Sequence, residues 1–187
     1  MRIVLLGPPA SGKGTQARRL ASELGVPHVS SGYLIRTSIR EGDPEGLRTM
    51  VERGLMVPDR IVEKLLASSL EDGFILDGYP RTAAQAGWLD ETGDQMGRPL
   101  DRVIELAVDG DALVARMRGR AGAEKRSDDR LDVFLRRLDD YERQAPSIRQ
   151  HYGERLIPVD GEGSQDQVYE RLRSALGLSA RTDEKNG

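Results

Sequence analysis

The sequence predicts an α/β protein: a doubly wound, five-stranded parallel sheet with helices on both faces. Three observations predict it. Short apolar runs alternate with stretches of helical periodicity. The runs are continuously apolar, as strands buried on both faces are. The first of them breaks at once into a glycine-rich turn that opens a helix.

Each element follows in order. Arg2–Leu6 is an apolar run stopped by Gly7-Pro8-Pro9, a buried strand and its turn. Gly14 to Leu24 places Ala17, Leu20, Ala21 and Leu24 at helical spacing and ends at Gly25. Val26–Ser30 is the second strand, Phe74–Asp77 the third, Val103–Val108 the fourth and Leu156–Val159 the fifth. Helical stretches fall at Arg60–Leu70, Thr82–Leu89, Asp111–Met117, Leu131–Tyr152 and Gln165–Leu176. Two regions interrupt the alternation. Ser30–Val57 reads as a helical insert punctuated by Gly32, Gly42, Pro44, Gly46 and Gly54, and Gly119–Asp129 is a short Gly/Arg/Lys/Asp segment. Segments that break a regular scaffold are where binding concentrates.

Composition narrows the function classes. With 187 residues, the chain is long enough to bury about 70% of its unfolded surface in one domain. No cysteine excludes a disulfide scaffold, a Cys-ligated zinc site and a thiol nucleophile. Lys and Arg number 28 against 31 Asp and Glu, a net charge of −3 that provides no footprint for nucleic acid or an anionic membrane. Mean hydropathy is −0.53, and no apolar run approaches the 18 or so residues of a spanning helix. The apolar start is too short for a signal peptide core, so a cytoplasmic protein is expected. The polar tail beyond Leu178 is expected to fray.

Gly7-Pro8-Pro9-Ala10-Ser11-Gly12-Lys13-Gly14-Thr15 fits G-x-x-x-x-G-K between a strand and a helix. In that setting the glycines let successive N–H groups turn onto a polyphosphate. The helix N-terminus adds its dipole, and Lys13 reaches the terminal phosphates. Directly after Lys13 stands Gly14, with the hydroxyl one place later at Thr15, so the usual side-chain ligand for magnesium is missing from its position. Mg²⁺ is then expected on phosphates and water, with help from a carboxylate. Asp77, ending an apolar strand, is the candidate; its alternative role is to cap the following turn.

These motifs, with Ser31-Gly32, Leu34 and Arg36, Val57-Pro58-Asp59, Asp77-Gly78-Tyr79-Pro80-Arg81-Thr82, Gln85-Ala86, Gly119-Arg120, Arg126-x-Asp128-Asp129 and Arg137-Leu138-x-x-Tyr141, resemble the adenylate kinase family from Met1 to about Leu176. The resemblance implies Mg·ATP + AMP ⇌ 2 ADP by in-line transfer, with ATP, AMP and ADP as partners. It implies a monomer with a core (1–29, 58–118, 130–177), an acceptor-binding insert (30–57) and a lid (119–129). The lid is short and cysteine-free, which implies no structural zinc.

By the same resemblance, Ala10, Ser11, Gly12, Lys13, Gly14, Thr15, Arg120 and Gly163 bind ATP, the donor base lying between Arg120 and the loop Asp160–Gly163. Arg36 and Arg81 hold the acceptor's α-phosphate. Arg120, Arg126 and Arg137 close over the transferring group, with Asp128 and Asp129 available to pair with them. Ser31, Leu55, Met56, Val57, Gly78, Tyr79, Pro80 and Gln85 recognise the acceptor. An amide that both donates and accepts suits the adenine edge. Thr82 and Gln85-Ala86 distinguish the chain from kinases of UMP or CMP. The alternatives are a kinase for dAMP, CMP or UMP, and a nucleotide-binding sensor.

Other residues read more plainly. Arg116, Arg118, Arg136 and Arg149 are expected as solvated helix charges, His28 as a satisfied structural histidine and His151 as a partner of its helix's C-terminal dipole. Trp88, Tyr141 and Tyr152 are expected in the core. Two positions depart from the family pattern. Tyr33 replaces an Asp beside the acceptor site, and Ala10 replaces a loop glycine, which restricts that residue to negative φ unless strain is accepted.

Overall fold

The computed structural model describes residues 1–43, 45–70, 72–121 and 130–178, with 120 and 121 as backbone only. Five strands, β1 (Arg2–Leu6), β2 (His28–Ser30), β3 (Phe74–Asp77), β4 (Arg102–Ala107) and β5 (Leu156–Asp160), form one sheet in the order β2-β3-β1-β4-β5. Every pairing is parallel. The predicted fold class is the observed one. Val26 and Pro27 precede the second strand, which is three residues long, because Pro27 has no N–H for a ladder.

The helices are α1 (Lys13–Leu24), α2 (Ser31–Arg40), α3 (Leu47–Glu52), α4 (Asp59–Ala67), α5 (Ala83–Gln95), α6 (Gly110–Ala121), α7 (Leu131–Tyr152) and α8 (Gln165–Ala175). The region read as one helical insert is thus two helices. Gly46, with φ of 66°, opens the second of them, a conformation that favours glycine. Side-chain caps start three helices: Ser30 accepts from the Tyr33 amide, Thr82 from the Gln85 amide, and Ser164 forms a capping box with Gln167.

Alternation along the strands feeds two cores. Ile3 and Leu5, with Ile75 and Ile104, pack against Ala17 and Leu20 of α1 and Leu172 of α8. Val4 and Leu6, with Phe74, Leu76 and Val103, pack against Ile61 and Leu66 of α4, Leu89 of α5 and Ile148 of α7. The period-two geometry of a strand divides one apolar run between both faces. Buried on both sides, the sheet keeps its strand ends rigid, and the phosphate loop hangs from the central one. Among the described residues, no helix is long and apolar enough to cross a membrane.

Candidate active site

A cleft of about 850 Å³ opens at the C-terminal ends of the strands. Ligands bind at that edge of open α/β sheets. Its floor is the loop between β1 and α1. Gly7 takes φ of 138°, and a Cβ there would stand 2.8 Å from the Leu106 carbonyl oxygen. Gly12, at φ of 93°, caps α1. Ala10 is also left-handed, at φ of 62°; the loop accepts a strain of about 1–2 kcal/mol instead of keeping this alanine at negative φ. Lys13 Nζ donates to the Gly7 and Pro8 carbonyls, each at 2.7 Å, and lies 3.3 Å from Ser11 Oγ. The ammonium is thereby turned over the loop's own concave face.

Asp77 ends β3 beside this loop, its Oδ2 3.8 Å from where a Cβ on Gly14 would sit. Burial pushes its carboxyl up, but hydrogen bonds from His28 and Ser30 and the charges of His28 and Lys13 outweigh it and hold the group below the usual carboxylate range. His28 Nε2 meets Asp77 Oδ2 at 2.5 Å, and since an ionised carboxylate only accepts, the imidazole donates. Among the described residues, no three His, Asp or Glu side chains gather as a metal cage.

The acceptor-side residues form the opposite wall. Arg81 Nε donates to the Gly78 carbonyl at 2.8 Å, and its amide donates to Gln85 Oε1 at 2.7 Å. Gln85 Nε2 donates to Asp59 Oδ1 at 2.7 Å. The buried Gln85 amide therefore spends one donor and one acceptor on the protein and retains one of each. Gly32 lies against the Arg36 guanidinium, 3.1 Å from a built Cβ. Ser31 is 1% exposed, and its hydroxyl has no hydrogen-bond partner among the described residues. It faces Gly78, where φ of 78° and a built Cβ only 2.7 Å from Ser31 Oγ leave no room for a side chain.

Ser31, Met56, Val57, Gly78, Tyr79, Arg81 and Gln85 surround a small cavity of about 20 Å³ next to the cleft. Pro80, Thr15, Gly163 and Arg137 line the main cleft. Leu55 lies on neither and is exposed. Tyr33 is exposed on the cleft wall, with the Arg40 guanidinium 5.8 Å from its ring centre. The Arg120 side chain, Arg126, Asp128 and Asp129 lie outside the described residues.

A family profile described as adenylate kinase matches residues 5–157. Adenylate kinases of Xanthomonas euvesicatoria pv. vesicatoria and Xanthomonas axonopodis pv. citri are each 46% identical over 186 residues, covering 95% of this chain and all of theirs. That of Clavibacter michiganensis subsp. michiganensis is 41% identical, covering 94% of this chain and 92% of its own. The chain belongs to the adenylate kinase family.

Within this adenylate kinase scaffold, Arg118, Arg136 and Arg149 are exposed, as expected, and Arg116 is half-buried, but three of these charges are also bonded to the protein. Arg116 donates to the Ser11 carbonyl at 3.2 Å and to the Gly161 carbonyl at 2.9 Å, bridging the phosphate loop to the loop after β5. Arg136 donates to the Arg53 carbonyl at 2.9 Å. Arg149 grips Glu105 with Nε and Nη2, at 2.8 and 2.9 Å. Tyr141, expected in the core, lines the cleft and donates its hydroxyl to Glu105 as well. Burial and then Glu105 push the Tyr141 phenol up, and the Glu105 hydrogen bond raises the Arg149 guanidinium.

One signal for this last group is that Arg137, Tyr141, Ala145 and Arg149 recur every four residues, so that successive members are neighbours along the helix. Glu105 offered a second, a lone charge inside an otherwise apolar run. His151 stands in the last turn of α7, as expected, and also meets Asp90 at 2.9 Å, an acid it shares with Arg155.

Proposed function

We propose that the protein transfers the terminal phosphoryl group of Mg·ATP to AMP, giving two ADP, by direct in-line displacement. The observation that supports this reading is a single cleft lined by cations from four separate segments: Lys13 from the start of α1, Arg36 from α2, Arg81 from the loop after β3 and Arg137 from α7. Two anions that repel one another in water need such a surround to meet in line, and arginine's planar fork suits phosphate oxygens.

An oxygen of the AMP phosphate bonds to the γ-phosphorus while its bond to the bridging oxygen of ATP breaks. The electron pair leaves with ADP, and no enzyme group is phosphorylated. Lys13 leaves its two carbonyl acceptors for the donor phosphates, and Arg36 and Arg81 hold the acceptor phosphate. Arg137, with Arg120 and Arg126, neutralises the group in flight. Magnesium would be carried mainly by phosphates and water, with the ionised Asp77 as the carboxylate on hand beside the loop, and it would supply charge neutralisation.

Gln85 reads the adenine edge with its remaining donor and acceptor, and the Ser31 hydroxyl gains a partner there. In this reading residues 30–57 form the acceptor-binding segment and 119–129 the lid over a core of 1–29, 58–118 and 130–177. The same reading makes the protein a cytoplasmic monomer.

The test is steady-state turnover with Mg·ATP against AMP, dAMP, CMP, UMP and GMP, with Lys13→Ala alongside. AMP is expected to give about 10 s⁻¹ or more, and the variant to fall by more than about 10³-fold. Preference for another monophosphate overturns the Gln85 assignment, and no turnover with any of them overturns the activity.

A further inference from the structure

The cleft holds an ionic pair that the transfer chemistry leaves unused. Glu105 lies on β4 opposite Leu6 of β1, the residue just before the phosphate loop. Its side chain is 8% exposed, and both carboxylate oxygens are taken by Arg149, with Tyr141 on one of them. A pair like this is a poor stabiliser: desolvation offsets its attraction, and well-packed apolar residues often serve as well. A carboxylate at the wall of a polyphosphate cleft also opposes its ligand unless a cation covers it. The pair therefore calls for a geometric role.

The geometry points to Glu105 and Arg149 as positioning residues for Arg137, an inference that rests on the phosphotransfer reading. Arg137, Tyr141 and Arg149 lie on the single helix α7 and all line the cleft, Tyr141 about one turn and Arg149 about three turns beyond Arg137, so the cleft-lining face that carries them spans about 120° of arc. A fork fixed by two bonds on Arg149, with a third bond through Tyr141, sets both the rotation of that face and its height along the sheet. The anchor is rigid because Glu105 is paired in register with Leu6, so the distance from phosphate loop to α7 passes through one strand pair. The far side of the same helix end is held independently by Asp90, through His151, with Arg155 just beyond the helix. At the other end Arg137 packs near Gly54, its Cγ 3.6 Å from a built Cβ. Releasing the Glu105 fork leaves α7 folded and attached but free to rotate about its remaining contacts, carrying Arg137 away from the transferring group.

The experiment compares the wild type with Arg149→Lys, Glu105→Gln and the double variant, measuring kcat and both KM values well below each melting temperature. Lysine keeps the charge without the fork, and glutamine keeps the shape without the charge. The expected result is kcat lowered about 10- to 100-fold in each single variant, with KM for ATP within about twofold. The double variant should be no worse than the poorer single, since both changes break one clasp. Arg149→Lys, half-exposed, keeps the test available should Glu105→Gln fail to fold. Raised KM with unchanged kcat overturns the inference in favour of direct nucleotide contact by Arg149. Equal kinetics in all forms overturns it alone, and a wild type that turns nothing over withdraws it together with the phosphotransfer reading.

Discussion

The phosphate loop and the pocket around Ser31 and Gln85, which the proposed reaction assigns to its two nucleotides, are made of different material. The loop's shape is in its backbone: Gly7, Ala10 and Gly12 hold positive φ, and Lys13 is already folded onto the Gly7 and Pro8 carbonyls. The pocket's shape is in its side chains. Gln85 is shared between Arg81 and Asp59, the Ser31 hydroxyl is buried without a partner among the described residues, and the cavity between them is about 20 Å³, room for about one water. An anion seat made of peptide groups needs little rearrangement. A pocket closed by side chains admits a base only if those side chains yield, so in the phosphotransfer reading binding a phosphate and choosing a base are separable properties.

That separation is sharpened first by Gln85→Leu. The change removes the amide proposed to read the base and leaves the Arg81 N–H and Asp59 without their partner. Hydrogen bonds lost to the base are worth about 1–3 kcal/mol, so kcat/KM for AMP should fall about 10- to 100-fold while KM for ATP holds, and the unmet groups should lower stability separately. An equal loss for both substrates, read from initial rates, breaks the distinction between the two regions.

Ser31→Ala is the next largest and carries opposite signs. Deleting an unsatisfied buried hydroxyl should leave the melting temperature unchanged or raise stability by up to about 1 kcal/mol, while KM for AMP rises several-fold. A clear loss of stability in urea unfolding means that Ser31 has a structural partner instead. The smallest effect belongs to Ala10→Gly. Relief of the left-handed alanine competes with extra freedom in the unfolded chain, for a net gain under about 1 kcal/mol. Destabilisation there means that the loop's shape is not the strained one described.

The scaffold was legible because its signals are local. Arg2–Leu6, Phe74–Asp77 and Leu131–Tyr152 fall where apolar periodicity and flanking glycines place them, and G-x-x-x-x-G-K announces its own strand and helix. What escaped is what only folding assembles. Glu105 and Arg149 are 44 residues apart in sequence, and neither residue type in its own segment points to the other. Arg116 read as one more helix charge because its acceptors are main-chain carbonyls of Ser11 and Gly161, which carry no residue signature. The two assigned halves of Gln85's amide were equally hidden, since Asp59 precedes it by a helix and a strand.

The sheet order has a mechanical consequence. β1, which carries the phosphate loop, is paired along both edges, whereas β2, which carries α2 and α3, is a three-residue rim strand held on one side. The loop that carries Lys13 is thus fastened at the middle of the frame, and the segment after β2 at its border. Load applied to that segment falls on one short ladder and spares the pairings that keep Lys13 in place.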